Sequence, residues 1–343
     1  MKRSRVLMAS LLVLCATFGW FHRASAAPLD ELVAAAKKEG ILEFYAYSAL
    51  TPKGAQALAE AFNKRYGLNI KVNYHPSQDM AKNAATVISW AIAGLPPEWD
   101  VMVVTDAHHG LLWQKKLHKT FDYSKVGVDA KLINYDNGTV SIANEIIQPA
   151  YNKNILPAKD APKSWDDLLD PKWRGKLGVT TATHHLARLA VGAWGEEKAS
   201  RYVKALAKQD LMLGRMGDAY TRLLLGEILV VFSLHDGFIQ RAKREGAPIV
   251  HANIEPLISP SGEIGVLKGA RHPYAGHLFS VFLTTPEAQN LWHEFMNQSS
   301  GLIPGTETYK ELQGKKALFM TPDQVATVER LSKEYSKILG FER

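Results

Sequence analysis

The 343-residue chain carries a formal charge of +7, is 46% hydrophobic by residue and contains one cysteine, Cys15. A lone thiol closes no disulfide within the chain, so core packing must hold the fold, and no Lys/Arg block with interleaved aromatics marks a nucleic-acid surface. The length is large for one hydrophobic core and predicts two lobes.

Lys2, Arg3 and Arg5 precede an apolar run over residues 6–21, and Ala24-Ser25-Ala26 supplies the small residues that a signal peptidase accepts. Residues 1–26 therefore read as an export signal cleaved after Ala26, which sends the protein to the periplasm. The run contains Gly19 and gives way to His22 and Arg23, which argues against a retained membrane anchor. Losing Lys2, Arg3, Arg5 and Arg23 lowers the charge to +3, so much of the basic balance belongs to the signal.

Residues 29–38 are amphipathic and end at Gly40, residues 41–45 are strand-like, and residues 54–66 return to helical periodicity before Gly67. A strand over 69–74, a helix over 79–93 and a buried strand over 100–105 follow. Such βα repetition predicts a mainly parallel sheet. Asn137-Gly138 marks a turn and residues 139–151 are strand-like.

The segment SWDDLLDPKWRGKLGVTTAT, residues 164–183, is the most informative stretch. Ser164 can cap a short helix with Asp167 three residues on, Pro171 stops it, and residues 176–180 form a strand. Thr181 and Thr183 then stand at the mouth of a helix over 184–194, where free backbone amides suit an anion. Pro256, Pro260 and Gly262 interrupt the pattern before a strand over 263–267. The closing amphipathic helix, residues 322–339, is expected on the first lobe.

With residues 42–62, 100–105, 224–232 and LKGARHPYAGHLFSVFL at 267–283, that segment resembles bacterial periplasmic solute-binding proteins of ABC importers, in the ferric-iron-type branch of the type II periplasmic binding fold. The resemblance implies an α/β fold of two lobes, each a mainly parallel sheet flanked by helices, with the ligand cleft between them. It assigns 27–147 plus 261–343 to lobe 1 and 148–260 to lobe 2, with two crossings. The implied partners are a small solute and an inner-membrane ABC permease, the protein acting as a monomer.

Ligands in open α/β sheets collect beyond the carboxyl ends of the strands. Those exits carry Tyr47, Ser48, Ser77, Gln78, Thr105, Asp106, Thr181, Thr183, His184, Asp218, Tyr220, His235 and Asp236. Ser77, Thr183 and Asp218 serve equally as helix caps, and Tyr220 as helix core. The adjacent pairs His108-His109 and His184-His185 point about 100° apart on a helix, a poor arrangement for one metal ion.

Ferric relatives are expected to hold iron with two neighbouring tyrosines, a carboxylate and sometimes a histidine, hard oxygen donors for a hard cation. Here Asp106 resembles the carboxylate, Thr51 stands near the histidine position, and Ser233-Leu234-His235-Asp236 replaces the tyrosine pair. The expected cargo is therefore a small anionic organic or phosphorylated solute, with Arg188, Arg215 and Arg222 as candidate partners and no cofactor. The alternative is Fe3+ as transported ligand, held by Asp106, His235 and Asp236. No G-x-S-x-G, H-E-x-x-H, G-x-x-x-x-G-K or G-x-G-x-x-G pattern signals an enzyme, and a sensor accessory would share the same binding chemistry.

Overall fold

The structure is a computed structural model that describes residues 27–77 and 79–341. The export signal, its cleavage site, Cys15 and Gln78 lie outside the described residues. Thirteen strands are described: β1 (Ile41–Tyr47), β2 (Lys71–Ser77), β3 (Val101–Thr105), β4 (Ile133–Asn134), β5 (Thr139–Asn144), β6 (Ile147–Asn152) and β7 (Leu177–Thr180) come first. They are followed by β8 (Met212–Gly214), β9 (Val230–His235), β10 (Ile249–His251), β11 (Leu257–Ile258), β12 (Ser261–Val266) and β13 (Ala317–Leu318).

The strands form two sheets. One runs β2-β1-β3-β12-β5-β4; the other runs β13-β11-β6-β9-β7-β8, with β10 added beside β6. In the first, β2, β1 and β3 are parallel and β12 is antiparallel to both β3 and β5. In the second, β8, β7 and β9 are parallel and β6 is antiparallel to both β9 and β11. The same order thus appears twice, β2-β1-β3-β12-β5 and β8-β7-β9-β6-β11. In each case the antiparallel strand is the one that has crossed from the other sheet.

Both faces of the central strands are covered, which explains why β3 (VMVVT) and β9 (VVFSLH) read as continuous apolar runs rather than alternating ones. Phe44, Phe62, Phe279, Phe282 and Trp292 fill the core of the first sheet. Trp165, Trp173, Tyr202, Phe232 and Tyr335 fill that of the second. The helix Pro273–Leu283 reaches the first sheet through Gly276, where a Cβ would stand 2.7 Å from Val101 and 3.0 Å from Val266.

Three expectations need correction. The capping pair at Ser164 and Asp167 forms, with the Asp167 amide donating to Ser164 Oγ at 3.1 Å, but it opens only a 3-10 turn, Asp166–Leu169. Asp170 and Pro171 end it before a second turn can close. The chain crosses between sheets three times, because it returns to the second sheet at β13 after building the helix Pro286–Met296 on the first. The closing helix, Val325–Leu339, follows that third crossing, and its Val328, Leu331, Tyr335 and Leu339 join the core of the second sheet rather than the first.

The first two crossings lie side by side. The Glu145 amide donates to the Pro260 carbonyl at 3.0 Å, Ser259 Oγ donates to the Glu145 carbonyl at 2.9 Å, and Asn144 Nδ2 donates to Ser261 Oγ at 3.0 Å. These short bonds fix the joint between the lobes at the base of the cleft.

Candidate functional site

A cavity of about 340 Å³ opens between the lobes. Thr105 and His108 face it from the end of β3 and the helix Asp106–Gln114, while His184, Arg188 and His235 face it from the opposite lobe. Glu145 contributes from the first crossing. Met80, Leu111, Pro260, Met320, Val325 and Val328 supply the apolar wall.

The polar side is built by two strands that stop at equivalent places. β3 ends at Thr105 and Asp106 opens the next helix; β9 ends at His235 and Asp236 opens the next helix. Each aspartate is buried at a helix start, where the amide dipoles favour negative charge. Their surroundings differ in one decisive respect. Asp106 faces a cation and Asp236 does not.

Arg188 grips Asp106 through both terminal nitrogens, Nη1 donating to Oδ2 at 2.9 Å and Nη2 to Oδ1. The Ala107 and Ser261 amides add bonds at 2.7 and 3.3 Å. Both side chains are almost wholly buried, at 1% and 3% exposure. Burial alone would lower the Arg188 pKa, but the charge of Asp106 and its hydrogen bonds raise it above the ordinary value, so the guanidinium stays charged. Arg188 Nε has no hydrogen-bond partner.

Asp236 keeps Oδ1 without a partner, and burial reinforced by the charge of Glu145 pushes its carboxyl up to about 7. Its neighbour His235 is bound instead to Glu145, Nδ1 to Oε2 at 2.9 Å. Burial would lower His235, yet the Glu145 charge raises it; burial would raise Glu145, yet His235 lowers it. A charged imidazolium–carboxylate pair therefore links the crossing to the second lobe.

The other two imidazoles of the cavity, His184 and His108, are neutral. Burial, followed by the charges of Arg188 and His235, pushes His184 down to about 3. Burial also lowers His108, whose Nδ1 lies 2.7 Å from Thr105 Oγ1. Neutral imidazoles offer one donor and one acceptor each, so they can orient a polar solute without adding charge.

Of the residues expected at the site, Thr105, His184 and His235 line the cavity, and Asp106 lies behind Arg188. The others among the described residues are outside the lining. Ser48 and Thr181 are exposed away from the lining, and Ser77 is buried as acceptor for Tyr45 Oη at 2.6 Å. Thr183 is committed to the Ser332 carbonyl at 2.9 Å, and its helix, His184–Leu189, runs only six residues before a π-turn, Ala190–Trp194. The Thr183 hydroxyl is thus engaged by the closing helix, and the helix behind it is short.

Asp218 is an exposed cap that accepts from the Arg215 amide at 3.3 Å, and Tyr220 packs in a core cluster against Phe238. Tyr47 stands near the crossings, where its hydroxyl would meet a Cβ at Gly262 at 3.1 Å. Burial and then Glu145, Asp106 and Glu263 push its phenol well above the usual range. Asp106, His235 and Asp236 do not converge on one point, and no group of three metal-ligating side chains does so among the described residues. Arg215 and Arg222 head and close the helix Met216–Leu225 outside the cavity.

Among the site residues that sequence missed are His108, Glu145 and those of the closing helix. Glu145 did leave a signal: it is the charged residue between β5 and β6, two strands that are otherwise buried throughout.

The sequence profile of the bacterial extracellular solute-binding proteins matches residues 57–321. A protein of Haemophilus influenzae described as uncharacterized is 32% identical over 145 residues, which is 40% of this chain and 41% of that one. The chain thus aligns with less than half the length of that relative. Iron-bound HitA from Pseudomonas aeruginosa superimposes with a TM-score of 0.67 at 18% identity, over 87% of this chain and 99% of that one. The apo ferric ion-binding protein A of Pasteurella haemolytica gives 0.70 at 15%, over 89% and 99%. Trichodesmium FutA with iron and citrate gives 0.69 at 20%, over 88% and 100%. These likenesses show the fold, that of a two-lobed periplasmic binding protein.

Proposed function

The chain belongs to the bacterial extracellular solute-binding protein family, and from that premise we propose that it captures a small organic anion between its lobes in the periplasm and delivers it to an ABC permease. The lobes of this proposal are 27–146 with 261–316, and 147–260 with 317–341. The observation that carries the ligand class is Arg188. It lines the cavity beside neutral His184 and His108, so a carboxylate or phosphate oxygen that reaches its guanidinium gains a charge-assisted bond. A cavity of about 340 Å³ sits at the small end of the range for ligand pockets.

Contacts to both lobes would make the solute favour the closed form, since only a ligand that binds one state better shifts the balance. Native mass spectrometry of protein taken from its own periplasm tests the proposal. A retained organic anion is the expected result, and titration of the stripped protein with carboxylated and phosphorylated compounds should quench or shift its tryptophan emission.

Ferric iron, alone or with an anion, is the second reading, favoured by the iron-bound HitA and iron–citrate FutA structures that share the fold. Against it, Arg188 already occupies both Asp106 oxygens, and Ser233-Leu234-His235 stands where a tyrosine pair is expected. Retained iron that disappears in Asp106→Asn would establish this reading over the first.

A further inference from the structure

The charges that line the cavity come in pairs of opposite sign. Arg188 is balanced by Asp106 behind it, His235 by Glu145, and Lys333 of the closing helix Val325–Leu339 by Glu329 at 2.7 Å. Such a lining offers both signs of charge and no excess of either. It complements a solute that carries both signs itself.

The two carboxylates in the lining differ in their access to water. The Glu329 side chain is 40% exposed, so solvent satisfies it. Glu145 is 17% exposed and is rooted in the joint between the lobes, its amide bonded to the Pro260 carbonyl and its carbonyl to Ser259 Oγ. Its Oε2 is taken by His235 Nδ1 at 2.9 Å, and no described residue donates to Oε1. Burial would raise the Glu145 carboxyl, but His235 draws it below the ordinary value, so it meets the solute ionised. Once a solute fills the cavity and excludes water, an ionised oxygen without a donor is costly. A solute that is an anion and nothing more leaves Oε1 in that state, whereas an ammonium group supplies both the donor and the opposite charge.

We infer that Glu145 is the residue that recognises an ammonium group, and that the solute is an organic anion bearing an amino group as well, of the amino-acid or aminoalkyl phosphate class. The inference rests on the anion-binding proposal above, which supplies the oxyanion at Arg188. Arg188 belongs to the helix His184–Leu189 of the second lobe and Glu145 to the first crossing, so a solute held by both ties that lobe to the joint.

Calorimetric titration with matched solutes at neutral pH tests this: glycine, β-alanine and 4-aminobutyrate against acetate, propionate and butyrate, and phosphoethanolamine against ethyl phosphate. In wild type at least one amino compound should bind about tenfold or more above its unsubstituted partner, and the series in which it does so tells carboxylate from phosphate. In Glu145→Gln, which keeps the shape and loses the charge, that ratio should fall to near one. Glu145→Asp, which keeps the charge and draws it back by one methylene, should lower the ratio as well and serves where the glutamine variant does not fold. Equal binding of amino and unsubstituted compounds by wild type, or a ratio unchanged in the variants, overturns the role of Glu145 while leaving the anion proposal standing. Binding of none of the compounds by folded wild type overturns both.

Discussion

Arg188 and Asp106 form an ion pair that is almost wholly buried. Burying two charges is unfavourable unless they compensate each other, and here the forked guanidinium, the Ala107 amide and the Ser261 amide satisfy Asp106. Removing one partner strands the other in a low-dielectric site. Arg188→Ala should therefore lose about 3–5 kcal/mol of stability, read as a lowered midpoint in urea denaturation. The double variant Asp106→Leu with Arg188→Met should lose less than the single one, because no charge is left unpaired. Asp106 was visible in the sequence as a polar residue after an apolar strand, but nothing local paired it with an arginine 82 positions away.

The helices illustrate how packing overrules propensity. Gly276 sits inside the helix Pro273–Leu283, where glycine is a poor choice by about 1 kcal/mol relative to alanine. Its value is the close approach it allows to β3 and β12. A methyl at that position must displace Val101 and Val266, and overpacking of this kind costs about 1–3 kcal/mol. Gly276→Ala should lower the thermal midpoint despite its better helix propensity, whereas a gain would show that the helix shifts freely. Most element positions were legible from periodicity, since apolar strands and capped helices announce themselves locally. The 3-10 turn after Ser164 and the π-turn after Leu189 were not, because both depend on where the next element must pack.

At the scale of the whole molecule, buried imidazoles set the response to acid. Burial holds His109 and His185 well below the ordinary value of 6.5, His118 and His251 down at about 4, and His184 and His277 at about 3. Their folded pKa values lie below the unfolded ones, so the stability they contribute is present above about 6.5 and is lost as pH falls towards 3 to 4. Asp236, raised to about 7, and Glu263, raised to about 8 by burial and then Asp106, act in the opposite sense. Their contribution is present below the ordinary carboxyl range and is lost as pH rises through 7 to 8. The imidazoles outnumber them, so thermal midpoints measured from pH 6.5 to 4.5 should fall steadily. A flat profile would mean that these rings protonate without unfolding.

The sequence by itself determined the two-lobed α/β plan, the alternation of strand and helix, and the polar exits of the strands. Each of these is encoded in residues close together in the chain, where periodicity, caps and prolines act. Tertiary structure alone decided which exits meet. Thr105, His184 and His235 came together at the cavity, Thr183 was tied to Ser332 of the closing helix, and Glu145 entered from a crossing that no periodicity marks. It also decided that the closing helix belongs to the second lobe, since an amphipathic face declares that it must be buried without saying against what.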